Sequence, residues 1–442
     1  MRLSRLIFYA LPAMPLAALT LPLYIIVPTF YSEVLGLSLA AVGAALLFVR
    51  ILDALADPVI GWLADRFRPR FGRRRMVFLA SLPFTGLATV MLFWPPVGAG
   101  AAYLAFWGAV LSIGYTTSLL PFAAWGAELA GGYAERSRIA ALREGFTLVG
   151  TLVAIALPFA IGIGSADGLH GLAALGLVVA TSLLAFGGLA VWRVPEPVEY
   201  SVNRVSLLDG LRHMGRNRPF LRLIAAFLVN GLANGIPATL FLYFVSGRLD
   251  APDMRGPLLF LYFLAGVAGV PLAVALAARI GKHRAWCSAM IANCALFALV
   301  PLLGQDDVMA FGLICAATGL ALGFDLALPA SIQADVIDVD TAASGEQRSG
   351  LYFAAWALAT KLSLALGVGI VFPLLALFGF DPAPDAANSE AALFALVAIY
   401  VWLPVALKAC AIALMWNFPL DEQAQFRLRA GIEARKISRM AG

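Results

Sequence analysis

Residues 50–75 read RILDALADPVIGWLADRFRPRFGRRR. The stretch begins inside a long apolar run and already carries Arg50, Asp53 and Asp57 before its polar end. Arg50, Asp53 and Asp57 are spaced i, i+3, i+7, so in a helix they share one face, and Gly61 continues that stripe. A charge at the centre of a bilayer costs about 2.5–3.5 kcal/mol on insertion scales, so such residues face a partner or a cavity rather than lipid. Two readings of the face stand side by side. A buried Arg50–Asp53 pair ties helices together and leaves Asp57 without a role. A cation site uses both carboxylates, one turn apart, to bind Na⁺ or share a proton.

The rest of the chain supplies the membrane. Of 442 residues, 62% are hydrophobic and 13% are charged, against roughly 25% charged in soluble domains. A span needs about 20 apolar residues. Twelve stretches qualify: 6–31, 38–64, 76–96, 100–130, 139–165, 169–193, 220–246, 256–280, 286–303, 308–333, 350–378 and 391–417. They are numbered here spans 1 to 12. Arg2 and Arg5 precede span 1, which is longer than the apolar core of a signal peptide and reads as a retained helix. The expected fold is all-α and polytopic.

Arginine sets the expected orientation. Arg66, Arg68, Arg70, Arg73, Arg74 and Arg75 follow span 2, Arg136 and Arg138 follow span 4, and Arg204, Arg212, Arg216 and Arg218 lie between spans 6 and 7. The opposite loops, PPVGAG, GSADGLH, GQDD and FDPAPDAANSE, carry no arginine or lysine. The loop after span 7 breaks the pattern, with Arg248 and Arg255 beside Asp250 and Asp253. Positive charge marks cytoplasmic loops, so both termini are expected in the cytoplasm of a plasma (inner) membrane protein. The net charge of +5 is explained the same way, and no groove-reading motif points to nucleic acid.

The longest polar interruption, 195–219, divides six spans from six. The expected organisation is 1–193 as one six-helix bundle, 194–219 as a cytoplasmic linker, 220–417 as the second bundle and 418–442 as a cytoplasmic tail. Arg70-Phe-Gly72-Arg73-Arg-Arg75 after span 2 is echoed by Arg279-Ile-Gly281-Lys282-His-Arg284 after span 8. The echo occupies the corresponding loop of each half, as in transporters built from two repeats around a midplane site. Proline and glycine recur inside the spans, as at Pro12, Pro15, Pro22, Pro28, Gly367 and Gly369. They permit kinks and close helix approach.

Cys287, Cys294, Cys315 and Cys410 lie singly in apolar segments and read as small core residues, and His170, His213 and His283 are scattered. No metal site, cofactor site or hydrolytic triad is supported, and the chain is not expected to be an enzyme. Lys361 lies eleven residues into span 11 and needs a counter-charge. Asn230 and Asn234 in span 7 are either substrate contacts or interhelical glue. Asp325 in span 10 needs a cationic partner, for which Lys361 and Lys408 are the candidates.

Gly61-Trp-Leu-Ala-Asp65-Arg66 followed by Gly72-Arg73-Arg74 resembles the signature loop between helices 2 and 3 of the major facilitator superfamily. Asp53-Ala-Leu-Ala-Asp57-Pro58-Val-Ile-Gly61 resembles a narrower group, the glycoside–pentoside–hexuronide:cation symporters of melibiose-permease type. The resemblance continues in Tyr115-Thr116, Pro121-Phe122, Trp125-Gly-Ala-Glu128, Glu135-Arg136-Ser-Arg138 and Arg143. It returns in Ala334-Asp335-Val-Ile-Asp338, Gly345-Glu-Gln-Arg348-Ser-Gly350-Leu-Tyr352, Lys361 and Phe418-Pro419-Leu420, in family order along nearly the whole chain.

That resemblance implies the major facilitator fold of two six-helix bundles and a symporter coupled to Na⁺ or H⁺. It assigns the cation site to Asp53, Asp57 and Thr116; Thr117 is a further candidate ligand from its own position next to Thr116. Coupling or substrate roles are expected for Arg50, Tyr115, Trp125, Arg143, Asn230, Asn234, Asp325, Trp356 and Lys361, the last of which matches the family's helix-11 lysine. The resemblance implies a gate at Gly61, Asp65, Arg66, Arg70, Arg73, Arg74, Glu128 and Arg138. Lys361 would compete for the span 2 carboxylates when no cation is bound. Sugar-binding members carry acids in helices 1 and 4 where this chain has Ala17 and Leu119. Ala56 stands where sodium-using members often have a polar side chain. The substrate site is therefore expected to be more apolar than a galactoside site, and the cargo a small organic or amphipathic solute carried by a monomer. The alternatives are a lysolipid-type transporter of the same fold and a non-transporting receptor or assembly factor.

Overall fold

The computed structural model describes residues 3–66, 73–129, 133–161, 169–195, 214–305, 307–344, 349–383, 386 and 388–420. Among them are twelve helical segments long and apolar enough to cross a membrane. Span 1 is Leu3–Ala10 and Ala13–Thr29, closed by a π turn at Phe30–Val34. Spans 2 to 6 are the helices Leu39–Arg66, Arg73–Phe93, Ala101–Leu129, Tyr133–Ile161 and Leu169–Arg193. Spans 7 to 12 are Arg218–Gly247, Arg255–Ile280, Lys282–Phe297, Val308–Ser344, Ser349–Leu377 and Glu390–Met415.

The spans are apolar on all sides, so burial inverts the soluble pattern. On span 2, Arg50 and Asp53 are 7% and 2% exposed while Leu55 and Val59 are 67% and 62% exposed. Lipid solvates the leucine and valine, and the charges turn into protein. Backbone hydrogen bonding within each helix satisfies the peptide groups that lipid cannot.

Several expected boundaries move, span 5 for example running from Tyr133 to Ile161. Span 10 continues to Ser344, well past residue 333, because Gln333, Asp335 and Asp338 end the apolar run without ending the helix. Span 9 stops at Phe297 and finishes in a 3₁₀ turn, Val300–Leu302, where Pro301 removes a backbone donor. Residues 196–213 of the expected linker and 421–442 of the expected tail lie outside the described residues.

The contacts gather the chain into two compact units. The first comprises Met1–Ser201, Ala238–Phe260 and Val368–Leu396; the second comprises Val202–Pro237, Leu261–Gly367 and Val397–Gly442. The first unit therefore holds spans 1 to 6 and also one end of spans 7, 8, 11 and 12. That end belongs to the arginine-poor loops. Its core is aromatic: Tyr9 stacks on Phe122 at 4.8 Å, Phe122 on Phe78 at 5.5 Å, and Trp125 meets Tyr9 edge-on at 5.8 Å.

The second unit is centred on Trp286, Phe324, Leu328, Tyr352 and their neighbours. Spans 8 and 10 cross at close range through Gly269, Gly319 and Gly323. A Cβ on any of the three would collide with backbone of the facing helix. Small residues at such crossings let helix backbones pack where no hydrophobic drive exists.

Candidate functional site

The face read from residues 50–57 is built by three spans of the first unit. Asp53 Oδ1 accepts a hydrogen bond from Thr116 Oγ1 of span 4 at 3.3 Å. Asp53 Oδ2 lies 3.6 Å from Arg50 Nη1. The guanidinium in turn sits over the ring of Tyr24 in span 1, 4.0 Å from its centroid. An aromatic face offers a cation its negative quadrupole, and the effect strengthens where water is excluded. Arg50 is thus held between a ring and a carboxylate, and Asp53 is only 2% exposed. Asp57 follows one turn along the same helix, with its side chain outside the described residues.

Thr116 and Thr117 part company. Adjacent residues in a helix point about 100° apart, so one span presents them to different surroundings. Thr116 faces Asp53, while Thr117 Oγ1 returns to the Ile113 carbonyl of its own helix at 2.7 Å. Trp125 is fully buried in the aromatic core, and its indole N–H donates to the Pro195 carbonyl at 3.0 Å. The ring is enclosed by Tyr9 and Phe78 and so braces spans 1, 3 and 4. Tyr115 packs against the same core. Arg143 is half-buried and pairs with Glu144 at 2.8 Å.

A second polar centre lies in the second unit. Lys408 Nζ donates to Asn230 Oδ1 at 2.9 Å and Asn234 Oδ1 at 2.7 Å. The same two asparagines donate to Asp325, Asn230 to Oδ1 at 2.9 Å and Asn234 to Oδ2 at 2.8 Å. Trp286 Nε1 adds a third donor to Asp325 Oδ1 at 2.6 Å. Each amide is used twice, once as acceptor and once as donor. Spans 7, 9, 10 and 12 are joined by one hydrogen-bonded network in which both amides link helices. Lys408, rather than Lys361, is the cation beside Asp325.

Lys361 is half-buried on span 11. Trp356, one turn earlier, stacks on Phe227 at 3.8 Å. Of the residues read as a gate, Arg74 is half-buried and described. Gly61 lies in a helix; Asp65, Arg66, Arg73, Glu128 and Arg138 lie in helices with their side chains outside the described residues, and Arg70 lies outside them entirely.

Sequence reasoning overlooked Tyr24, Trp286 and a pair at the arginine-rich end. Lys282 Nζ contacts Asp335 Oδ2 at 2.6 Å. Both residues stand in blocks quoted above, and a lysine and an aspartate flanking spans of one bundle were the available signal. Gly281, the centre of the repeated loop motif, takes φ +87° and turns the chain into span 9. A left-handed backbone there favours glycine.

A family model described as MFS/sugar transport protein matches residues 8–422 of this chain. The inner membrane symporter YicJ of Escherichia coli K12 is 27% identical over 390 residues, covering 85% of this chain and 82% of its own. The isoprimeverose transporter of Lactiplantibacillus pentosus is 25% identical over 403 residues, covering 88% and 82%. The solved structure of a mutant of the nucleoside transporter NupG superposes with a TM-score of 0.67 over 93% of this chain and 99% of that one, at 14% identity, a likeness of fold. The chain belongs to the MFS/sugar transport protein family. It is an integral membrane protein and a secondary transporter of small molecules, not an enzyme.

Proposed function

We propose that this member of the MFS/sugar transport family is a cation symporter whose ion binds at Asp53, with Asp57 one turn away and Thr116 as a neutral ligand. The observation that carries the reading is a carboxylate 2% exposed, bonded to a threonine of another span, inside an apolar bundle. Arg50 is already committed to Asp53 and stacked on Tyr24, so it balances one of two negative charges permanently. One charge is then left for exchange, which a single Na⁺ or H⁺ satisfies. Lys361, a cation within span 11, takes part in coupling.

The cargo is a small organic solute with an apolar portion, an aglycone-bearing glycoside rather than a free hexose. Span 1 carries no charge between Leu6 and Tyr31, and Ala17 and Leu119 offer no carboxylate to sugar hydroxyls. A site built for hydroxyls needs such partners, because unpaired polar groups are costly to bury. Both termini lie in the cytoplasm, on the side of the arginine-rich loops, and the transporter works as a monomer.

Purified protein in proteoliposomes tests this. Uptake of alkyl and aryl glycosides is driven by imposed Na⁺ and pH gradients separately, which identifies the ion. A parallel thermal-shift screen sets glycosides against lysolipids. Stabilisation by lysolipids alone would move the cargo to the lipid class while leaving the ion site standing. Uptake indifferent to both gradients would end the symport reading.

A further inference from the structure

The loop after span 7 broke the charge pattern, and the structure gives one of its two arginines a use. Arg255, at the start of span 8, meets Glu33 of span 1 through two bonds, Nη1 to Oε2 at 2.8 Å and Nη2 to Oε1 at 2.7 Å. Both side chains are 7% exposed. A third donor, Arg255 Nε, is taken by the Leu242 carbonyl at 3.1 Å. One residue earlier, Ser32 Oγ lies 2.6 Å from Tyr243 OH of span 7. Glu33 and Ser32 sit in the π turn that ends span 1, a widened turn of a kind frequent at functional sites.

The apolar surroundings share the arrangement. Gly43 of span 2 faces Phe372 of span 11, where an added Cβ would stand 3.1 Å from the phenylalanine Cβ. Gly369 of span 11 is filled by Leu47 of span 2, and Gly256 of span 8 by Phe159 of span 5. Spans 1, 2 and 5 of the first six thus grip the ends of spans 7, 8 and 11 at the arginine-poor end, all within one compact unit.

We propose that the Glu33–Arg255 pair, with Ser32–Tyr243 beside it, is the latch that holds the arginine-poor end of the transporter closed and must open once per cycle. A buried bidentate pair suits a latch. It is strong in the dry closed state, and when it parts water solvates both ions, so the alternative state is not penalised by two bare charges. A fully apolar contact would lack that compensation on opening. The latch concerns access at one end of the protein and is independent of which ion or cargo is carried.

The test replaces Cys287, Cys294, Cys315 and Cys410 by alanine and introduces Thr29→Cys as a reporter, one turn inward of Ser32 and buried in the closed state. In lipid nanodiscs, a water-soluble maleimide should label the reporter about tenfold faster when Glu33→Gln and Arg255→Met are combined, because the closed population falls. The exchanged pair, Glu33→Arg with Arg255→Glu, should restore slow labelling. A neutralised pair that labels at the unmodified rate overturns the proposal. A second measurement does not depend on that variant. Gly43→Cys and Phe372→Cys bring two Cβ atoms to near disulfide distance, about 3.8 Å. Oxidation should stop transport and reduction restore it; full transport by the cross-linked protein overturns the proposal.

Discussion

Lys408 of span 12 and Asp325 of span 10 stand 3.9 Å apart, and Asn230 and Asn234 bridge them with both ends of their amides. The ions are separated by slightly more than a hydrogen bond, but every polar atom around them has a use. Such a network is worth most when complete, and its partial loss leaves a buried charge alone.

Lys408→Met should therefore destabilise the protein by roughly 3–5 kcal/mol, the usual result of deleting one partner of a buried pair. Combining it with Asp325→Asn should recover much of the loss, since no bare charge remains. The measurement is the thermal inactivation rate of each variant in detergent, followed by size exclusion. Equal losses in the single and double variants would show that packing, not charge, holds spans 10 and 12.

Asp53→Asn removes the charge that Arg50 faces. Concentrative uptake should vanish, and folding should weaken because the buried guanidinium loses its carboxylate partner. Arg50→Gln added to Asp53→Asn should restore folding without restoring accumulation. That split separates the two readings of the face: a merely structural pair would regain both together.

The two threonines make a paired control. Thr116→Val loses a hydrogen bond of net worth about 0.5–1.5 kcal/mol, so the half-saturating cation concentration should rise about three- to tenfold. Thr117→Val should change it little, because that hydroxyl already serves its own helix. Initial uptake rates over a cation series decide between them.

Asp57→Asn should abolish gradient-driven uptake while sparing downhill exchange. Lys361→Ala should weaken coupling, and substrate should shift cation affinity less in that variant, since the two bindings are reciprocally linked. Full accumulation by Asp57→Asn under either gradient would remove the span 2 acids from the coupling step.

The sequence by itself determined the class. Twelve apolar runs and loops of alternating charge prescribe a helical bundle, because lipid leaves the backbone no other way to satisfy its hydrogen bonds. It also determined the face carrying Arg50 and Asp53, since helical periodicity acts along one element and is legible without any neighbour. Which element each face meets is a different matter. Lys408 and Lys361 look alike in sequence, each a lone cation in an apolar span, and only tertiary packing put Lys408 beside Asp325. Thr116 and Thr117 are one peptide bond apart, and only the approach of span 2 gave the first a carboxylate and left the second to its own helix. Glu33 and Arg255 are 222 residues apart and lie at span ends, where charge passes for ordinary solvated loop. Their pairing is a non-local fact: it depends on spans 1 and 8 meeting at the arginine-poor end, and no local periodicity encodes that meeting.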